Sequence, residues 1–221
     1  MKKSLLIVAV IIISGCSTVL FSQTLSFGVK GGLNLSNMLE ESDYDLWSED
    51  YSYTPGYNAG IWVEVPVSLD LVFEGGISLD TRGYKFESEG TLGSVKVNFN
   101  TLYASIPLKV KTIRMAGPIE LFAAAGVSAG YGLSGTIDLE MVINNVETSE
   151  TNDICWGNDP DDCDLKRLDY GALGSVGVGF KGIQLELAYY HGLANISAYT
   201  DDSYVINNRA FSVSLGYKIG F

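Results

Sequence analysis

Residues 168–189 read LDYGALGSVGVGFKGIQLELAY. Apolar side chains occupy every second position on both sides of Lys181-Gly182, and mostly Gly, Ser and acidic residues lie between them. Alternation with a period of two is typical of a β-strand that has one apolar face. The stretch therefore predicts two strands, 168–180 and 183–189, joined by a tight turn.

The same alternation recurs along the rest of the chain. Each segment has one apolar face and one face rich in Gly, Ser and other polar residues. The eight segments are 25–35, 57–65, 69–79, 102–110, 119–131, 168–180, 183–189 and 211–221. Together they predict an all-β fold.

The lengths of the connections between these segments distinguish two all-β folds. A soluble β-sandwich also alternates apolar and polar residues. Here, however, three short connections alternate strictly with four long ones, which lie at about 36–56, 80–94, 132–167 and 192–207. Tight turns on one side and long loops on the other are typical of a transmembrane β-barrel. We therefore expect an eight-stranded antiparallel up-and-down barrel in the outer membrane, with both termini periplasmic and the long loops extracellular; a soluble all-β protein is the alternative.

Composition excludes several other classes of protein. The 221 residues are 47% hydrophobic and 18% charged, so the chain is too apolar for intrinsic disorder. A formal net charge of −12 argues against a nucleic-acid partner, which requires a basic surface. Outside the N-terminus, no apolar run is long enough for a transmembrane helix.

The N-terminus has the features of an export signal. Lys2 and Lys3 precede the apolar run 5–13, and small and polar residues follow. We assign residues 1–23 as a signal peptide and 24–221 as the barrel domain. An alternative is a lipobox ending at Cys16, which would then be the lipidated first residue of the mature protein.

Several motifs resemble the PorT-like outer-membrane β-barrel family of Bacteroidetes. They are GVKGGLNLS at 28–36, TRGY at 81–84, LYASIPLK at 102–109 and LGYKIGF at 215–221. Each motif is weak alone, but their order covers nearly the whole mature chain. The resemblance implies an eight-stranded outer-membrane barrel and no single function, since some members assist secretion. Pro107 lies within one of these motifs, and we expect it to mark a β-bulge because proline cannot donate to the ladder.

Charged residues on the inward faces of the strands are the first candidate site. The lumen of an eight-stranded barrel is only wide enough for side chains to fill. Charges of both signs should therefore pair there, because a buried unpaired charge is costly. The inward set is Lys30, Glu64, Glu74, Lys109, Glu120, Glu186 and Lys218, with Tyr103 and Tyr190 nearby. We expect a closed, salt-bridged plug, and a selective pore is the alternative.

The predicted loops carry cysteines, acids and aromatic residues. Cys155 and Cys163 lie in the longest loop. Because an exported loop is in an oxidising environment, we expect a disulfide between them. Acids cluster at 40–50 and 147–164. A solvated anionic surface is the main interpretation, and a weak Ca²⁺ site is the alternative, since Ca²⁺ takes clustered carboxylates. Its ligands would be Asp159, Asp161, Asp162 and Asp164.

The remaining features bear on function. Tyr44, Trp47, Tyr51 and Tyr53 are interleaved with acids in the first loop and would suit either a protein partner or loop packing. His191, the single histidine, is expected to face outward at the end of its strand, near Asp201, Asp202 and Ser203. A lipid-modifying enzyme would need such a constellation. We predict instead a non-enzymatic structural or interaction barrel without cofactor or metal, in contact with membrane lipid, with a small channel as the main alternative.

Overall fold

The structure is a computed structural model, and it describes residues 25–41, 51–90, 93–143, 146–159, 163–199 and 204–220. The signal segment with Cys16 lies outside these ranges. So do Tyr44, Trp47, Asp161, Asp162 and the residues 201–203. No helix in the described part of the chain is long and apolar enough to cross a membrane.

Eight long antiparallel strands close into a ring. The described residues form β1 (Ser26–Glu41), β2 (Tyr51–Ser52), β3 (Thr54–Pro66), β4 (Leu71–Gly90), β5 (Gly93–Ala116), β6 (Ile119–Ile143), β7 (Val146–Asp153), β8 (Leu168–Phe180), β9 (Ile183–Gly192) and β10 (Val205–Gly220). The ring runs β1–β3–β4–β5–β6–β8–β9–β10 and back to β1, while β2 pairs with β4 and β7 pairs with β6 outside it. The predicted up-and-down barrel is confirmed.

The register of the strands fixes the width of the barrel. A path through paired residues starts at Tyr131 on β6, crosses the other seven strands of the ring and returns to β6 at Leu121, ten residues away. With a rise of ~3.3 Å per residue and a spacing of ~4.8 Å between strands, this stagger gives a tilt of about 40° and a backbone radius of about 8 Å. Inward side chains fill such a lumen.

The apolar faces of the strands point outward. Val29 on β1, Ile61 on β3 and Leu215 on β10 are each more than half exposed, and Val176 and Val178 on β8 are also exposed. This apolar surface encircles the barrel as a band that would contact lipid. The alternation thus predicted the correct outward face for all eight barrel strands.

The two ends of the barrel differ. At the turn end, β3, β5 and β8 connect to their successors by short turns, and Lys181 and Gly182 adopt positive φ in the last of them. At the opposite end, called here the hairpin end, β4 pairs with β5 as far as Gly90 and Gly93, and β6 continues to Ile143 and pairs with β7.

These extensions differ from the predicted loops. Much of 80–94 and 132–167 is strand, because the backbone pairing among β4, β5, β6 and β7 continues past the apolar band. Phe99 faces inward on β5, for example, and pairs in register with Tyr84. The predicted loops 36–56 and 192–207 are also shorter, since β1 extends to Glu41 and β10 begins at Val205.

The bulge predicted at Pro107 is wrong. Pro107 pairs with Ser128 on β6 in the regular register. The break in register lies closer to the hairpin end, where β6 faces Leu102 and Tyr103 of β5. There β6 carries one extra residue, Leu133, between the partners of those two residues. A bulge reverses the faces of the residues beyond it. Ile137, which by simple parity would face outward, consequently packs inward.

Candidate functional site: the closed lumen and its mouth

The lumen near the turn end contains an ion-pair network, called here the lumen charge network. Lys109 Nζ lies 2.7 Å from Glu74 Oε1 and 2.6 Å from Glu186 Oε1. Lys30 Nζ approaches the other oxygen of Glu186 at 3.3 Å. Since Lys109 is 1% exposed, its charge is balanced entirely by these carboxylates.

The network continues across the lumen. Lys111 Nζ lies 2.6 Å from Glu64 and 3.5 Å from Glu74, and its ammonium stands 4.0 Å from the centre of the Phe122 ring. Lys218 joins Glu64, at 3.4 Å, to Glu120, at 2.7 Å. The structure therefore brings all seven predicted lumen charges into one cluster. Lys111, which completes it, lies on the same face as Lys109 but beyond the predicted end of that strand.

A second closure, called here the arginine layer, lies closer to the hairpin end. Arg82 Nη1 donates to Asp169 Oδ2 at 2.5 Å, and Asn208 Nδ2 donates to the same oxygen at 2.9 Å. The guanidinium stands 4.7 Å from the Tyr103 ring centre and 4.2 Å from that of Tyr190. Asp169 is fully buried, so the layer spans the lumen. The inward direction of both tyrosines agrees with the prediction. The sequence does not predict the Arg82–Asp169 pair, because Arg82 lies within the predicted loop 80–94.

A polar chamber of about 70 Å³ separates the two closures. Lys30 and Glu186 line it on the side of the lumen charge network, and Arg82 and Tyr190 line the opposite side. At ~15 Å³ per water molecule, the chamber could hold about five waters. The chamber is therefore a polar pocket, large enough for water, with closures on both sides.

Two glycines that face the lumen make room for the indole ring of Trp62, which extends from β3 over β1 and β10. A Cβ on Gly28 of β1 would lie 2.2 Å from the Trp62 ring, and one on Gly216 of β10 would lie 2.6 Å from it. Trp62 itself belongs to β3 and is 5% exposed. The indole thus lies flat across the inner wall and narrows the lumen beside the charges.

An apolar group, called here the mouth cluster, closes the hairpin end. Its buried members are Met38, Phe99, Ile154, Leu165, Ala194 and Ile196. The chain between β7 and β8 folds back over the lumen to supply Ile154 and Leu165, and Ile154 N donates to Gly135 O at 2.9 Å. The mouth cluster is the third closure along the barrel axis.

Tyrosines surround one carboxylate beside the mouth cluster. The hydroxyl groups of Tyr51 and Tyr204 both donate to Glu40, and the rings of Tyr51 and Tyr84 stack at 4.2 Å. The pKa of Tyr51 and that of Tyr204 are raised above the ordinary value, first because burial disfavours the phenolate and then because Glu40 accepts the hydroxyl proton. Burial also raises the pKa of Tyr84.

We expect the substitution Glu40→Gln to lower the pKa of Tyr51 and of Tyr204. An amide removes the negative charge that opposes ionisation, although burial still acts. Because folding raises the pKa of these tyrosines, the unfolded state loses their protons first, and the free energy of unfolding should fall as the pH rises above ~10. Ultraviolet absorbance titration of tyrosinate would measure both effects. Superimposable titration curves for the wild type and the variant would contradict the assignment.

The predicted disulfide lies near this mouth. Cys155 Sγ and Cys163 Sγ are 2.6 Å apart, and Asp164 Oδ2 accepts a hydrogen bond from Cys155 N at 2.9 Å. A disulfide has a sulfur–sulfur distance of about 2.05 Å, so the two thiols lie within about half an ångström of bonding distance, and an external oxidant would take up their two electrons and two protons. The disulfide stays a prediction.

Two other predicted sites depend in part on residues outside the described ranges. Within those ranges, no group of three or more His, Cys, Asp or Glu side chains could hold a metal ion. Asp161 and Asp162, two of the four predicted Ca²⁺ ligands, are not among them. His191 is half-buried beside Tyr189, whose hydroxyl lies 3.4 Å from its Nδ1.

Comparison with known proteins identifies the family. The model of a family described as "Outer membrane protein beta-barrel domain" matches residues 21–198, which is most of the chain. The chain belongs to this family. Membership of this family implies that the protein is integral to the outer membrane. The outward apolar band is the surface that would contact the membrane lipid. No curated protein matches the chain in sequence.

Solved structures of outer-membrane proteins are similar to this barrel. Ail of Yersinia pestis is 14% identical with a TM-score of 0.40, over 88% of this chain and 99% of its own. OprG of Pseudomonas aeruginosa is 12% identical with a TM-score of 0.45, over 89% and 97%. The outer-membrane protease OmpT of Escherichia coli is 12% identical with a TM-score of 0.45, over 93% and 100%.

Proposed function

We propose that this outer-membrane barrel is a non-enzymatic interaction protein with a closed lumen, whose hairpin end faces the cell exterior. The observation that carries the proposal is the succession of three closures along the axis: the lumen charge network, the arginine layer and the mouth cluster. Among the described residues, the three closures lie one behind another across a narrow lumen, which supports a barrel that passes no solute. Its function then depends on the surface beyond the membrane.

The strands that extend beyond the band provide that surface. Pairing from β2 through β4, β5 and β6 to β7 builds a five-stranded sheet at the hairpin end. β7 pairs only with β6 among the described strands, and all its residues are exposed. An exposed edge strand can pair with an added strand from a partner. Since β7 carries Glu147, Glu150 and Asp153, a partner with basic side chains would fit this edge.

We expect charge reversal on β7 to abolish capture of such a partner. The test variant is Glu147→Lys with Glu150→Lys, and the matched control is Glu87→Lys with Glu89→Lys near the tip of β4. All four side chains are exposed, so both variants should fold. The measurement is chemical crosslinking in native outer membranes followed by mass spectrometry. A partner retained by the control and lost by the β7 variant is expected; equal capture by both, or none by the wild type, would contradict the proposal.

Resemblance to the PorT-like family supports a more specific role as an accessory to secretion. A component of a secretion machine among the crosslinked proteins would support that role. The chamber favours a second candidate, a small gated channel, because it already provides a polar pocket between two closures. The closed interaction barrel and the gated channel differ in whether the lumen conducts ions.

A further inference from the structure

A groove lies on the outside of the barrel where the apolar band ends near the hairpin end. It encloses about 630 Å³ beside β6 and β8. Tyr131 and Tyr170 form its membrane-facing wall, and each is about half exposed on the outer face of its strand. Lys166 and Arg167 line it on the side away from the band. Tyrosines at this height match the aromatic girdle that marks the membrane interface.

The position of Arg167 is fixed by its surroundings. Arg167 Nη1 donates to Gly132 O at 2.9 Å, and the guanidinium carbon stands 5.7 Å from the centres of both the Tyr131 and the Trp156 rings. A Cβ on Gly132 would lie 2.3 Å from Trp156, so only glycine permits this packing. A guanidinium has five N–H donors, and this one therefore keeps donors available towards the groove.

The backbone of this segment is also held. Lys166 N donates to Ile196 O at 2.8 Å, and Gly132 N donates to Arg167 O at 2.7 Å. The neighbouring Leu165 bridges to both Trp156 and Ser197. Both basic side chains therefore extend from a backbone segment that hydrogen bonds hold in place. Binding a ligand would cost little conformational entropy of the backbone.

Neither base is neutralised by the described part of the protein. No ion pair joins Lys166 or Arg167 to a described carboxylate, whereas most other bases are paired. In a chain with a net charge of −12, two adjacent cations without a paired carboxylate are an exception. They lie where the headgroups of the surrounding lipid would be. The complementary group is an anion at the membrane surface.

We propose that this groove binds the phosphate group of a lipid in the outer leaflet. Arg167 would hold the phosphate through its planar fork, Lys166 would supply a second charge, and Tyr131 and Tyr170 would contact the upper part of the acyl region. The choice of leaflet rests on the orientation proposed above, with the hairpin end outward. A conducting lumen would overturn the proposed closed barrel without affecting lipid binding, so the two proposals can fail separately.

Native mass spectrometry of the purified full-length barrel in detergent tests this proposal. The probes are phosphorylated lipid A, its dephosphorylated form and inorganic phosphate. Wild-type protein should retain the phosphorylated lipid and lose the dephosphorylated one. Charge-assisted hydrogen bonds of this kind are worth about tenfold in affinity each, so Lys166→Gln combined with Arg167→Gln should weaken retention about 100-fold.

The control has the same change of charge at the same end of the barrel. Lys85→Gln combined with Lys96→Gln, away from the groove, should change retention by less than about twofold. Lys166→Gln alone, which leaves the Arg167 packing intact, should weaken it about tenfold and keeps the test decisive if the double variant does not fold. Equal retention of both lipids, wild-type retention by the variants, or displacement of the lipid by equimolar inorganic phosphate would overturn the proposal.

Discussion

Replacing Lys109 with alanine is expected to lower the free energy of unfolding by about 3–5 kcal/mol, because two buried carboxylates lose the cation closest to them. Glu74 and Glu186 both bond to this ammonium within 2.7 Å. Of the cations nearby, Lys111 reaches Glu74 only at 3.5 Å, and Lys30 reaches Glu186 only at 3.3 Å. Equilibrium unfolding in urea, with the barrel in lipid vesicles, would measure the loss.

The matched control is an exposed ion pair of the same barrel. Arg114 Nη1 lies 2.5 Å from Asp70 Oδ2 near the turn end, but the two side chains are 72% and 51% exposed. Solvent screens such a pair, and Arg114→Ala should cost about 0–1 kcal/mol. Equal losses for Lys109→Ala and Arg114→Ala would contradict the burial that the structure assigns to the lumen charge network.

The arginine layer gives the second large expected effect. Asp169→Ala should also cost about 3–5 kcal/mol, because the Arg82 guanidinium, 4% exposed, would lose its nearest carboxylate. The next carboxylate, that of Asp80, lies 3.7 Å from Arg82. Unfolding in urea again provides the measurement.

A double variant separates the value of the pair from the cost of breaking it. Apolar residues of similar volume often replace a buried ion pair at little cost. Arg82→Met combined with Asp169→Leu should therefore be at least ~1.5 kcal/mol more stable than Asp169→Ala alone. A double variant as unstable as the single one would mean that Arg82 and Asp169 do not act as a pair.

Parity along the strands was enough to predict which charges enter the lumen. Lys30, Glu64 and Lys218 lie on different strands, and each faces inward as the alternation predicted. Parity does not predict which charges meet, since this depends on the ten-residue stagger between strands. The pairing of Lys30 with Glu186, 156 positions along the chain, follows from that stagger.

What the sequence did not show depends on where each strand ends. Arg82 lies in a predicted loop because the apolar face of β4 stops at Leu79, although the strand continues to Gly90. Beyond the apolar band the outer faces of the strands no longer contact lipid, so polar residues occur on both faces. The alternation of apolar and polar residues that predicts a strand is therefore absent there. The bulge at Leu133 reversed the faces further along β6, and no residue type marks it.

The central claim is that the lumen is closed, and conductance across a planar lipid bilayer tests it most directly. Purified full-length barrel should show no stepwise openings in concentrated KCl at either polarity of the applied voltage. The Arg82→Met, Asp169→Leu variant should be equally silent, because the lumen charge network and the mouth cluster remain in place. Stable single-channel openings of the wild-type protein would contradict the closed barrel and establish the channel in its place.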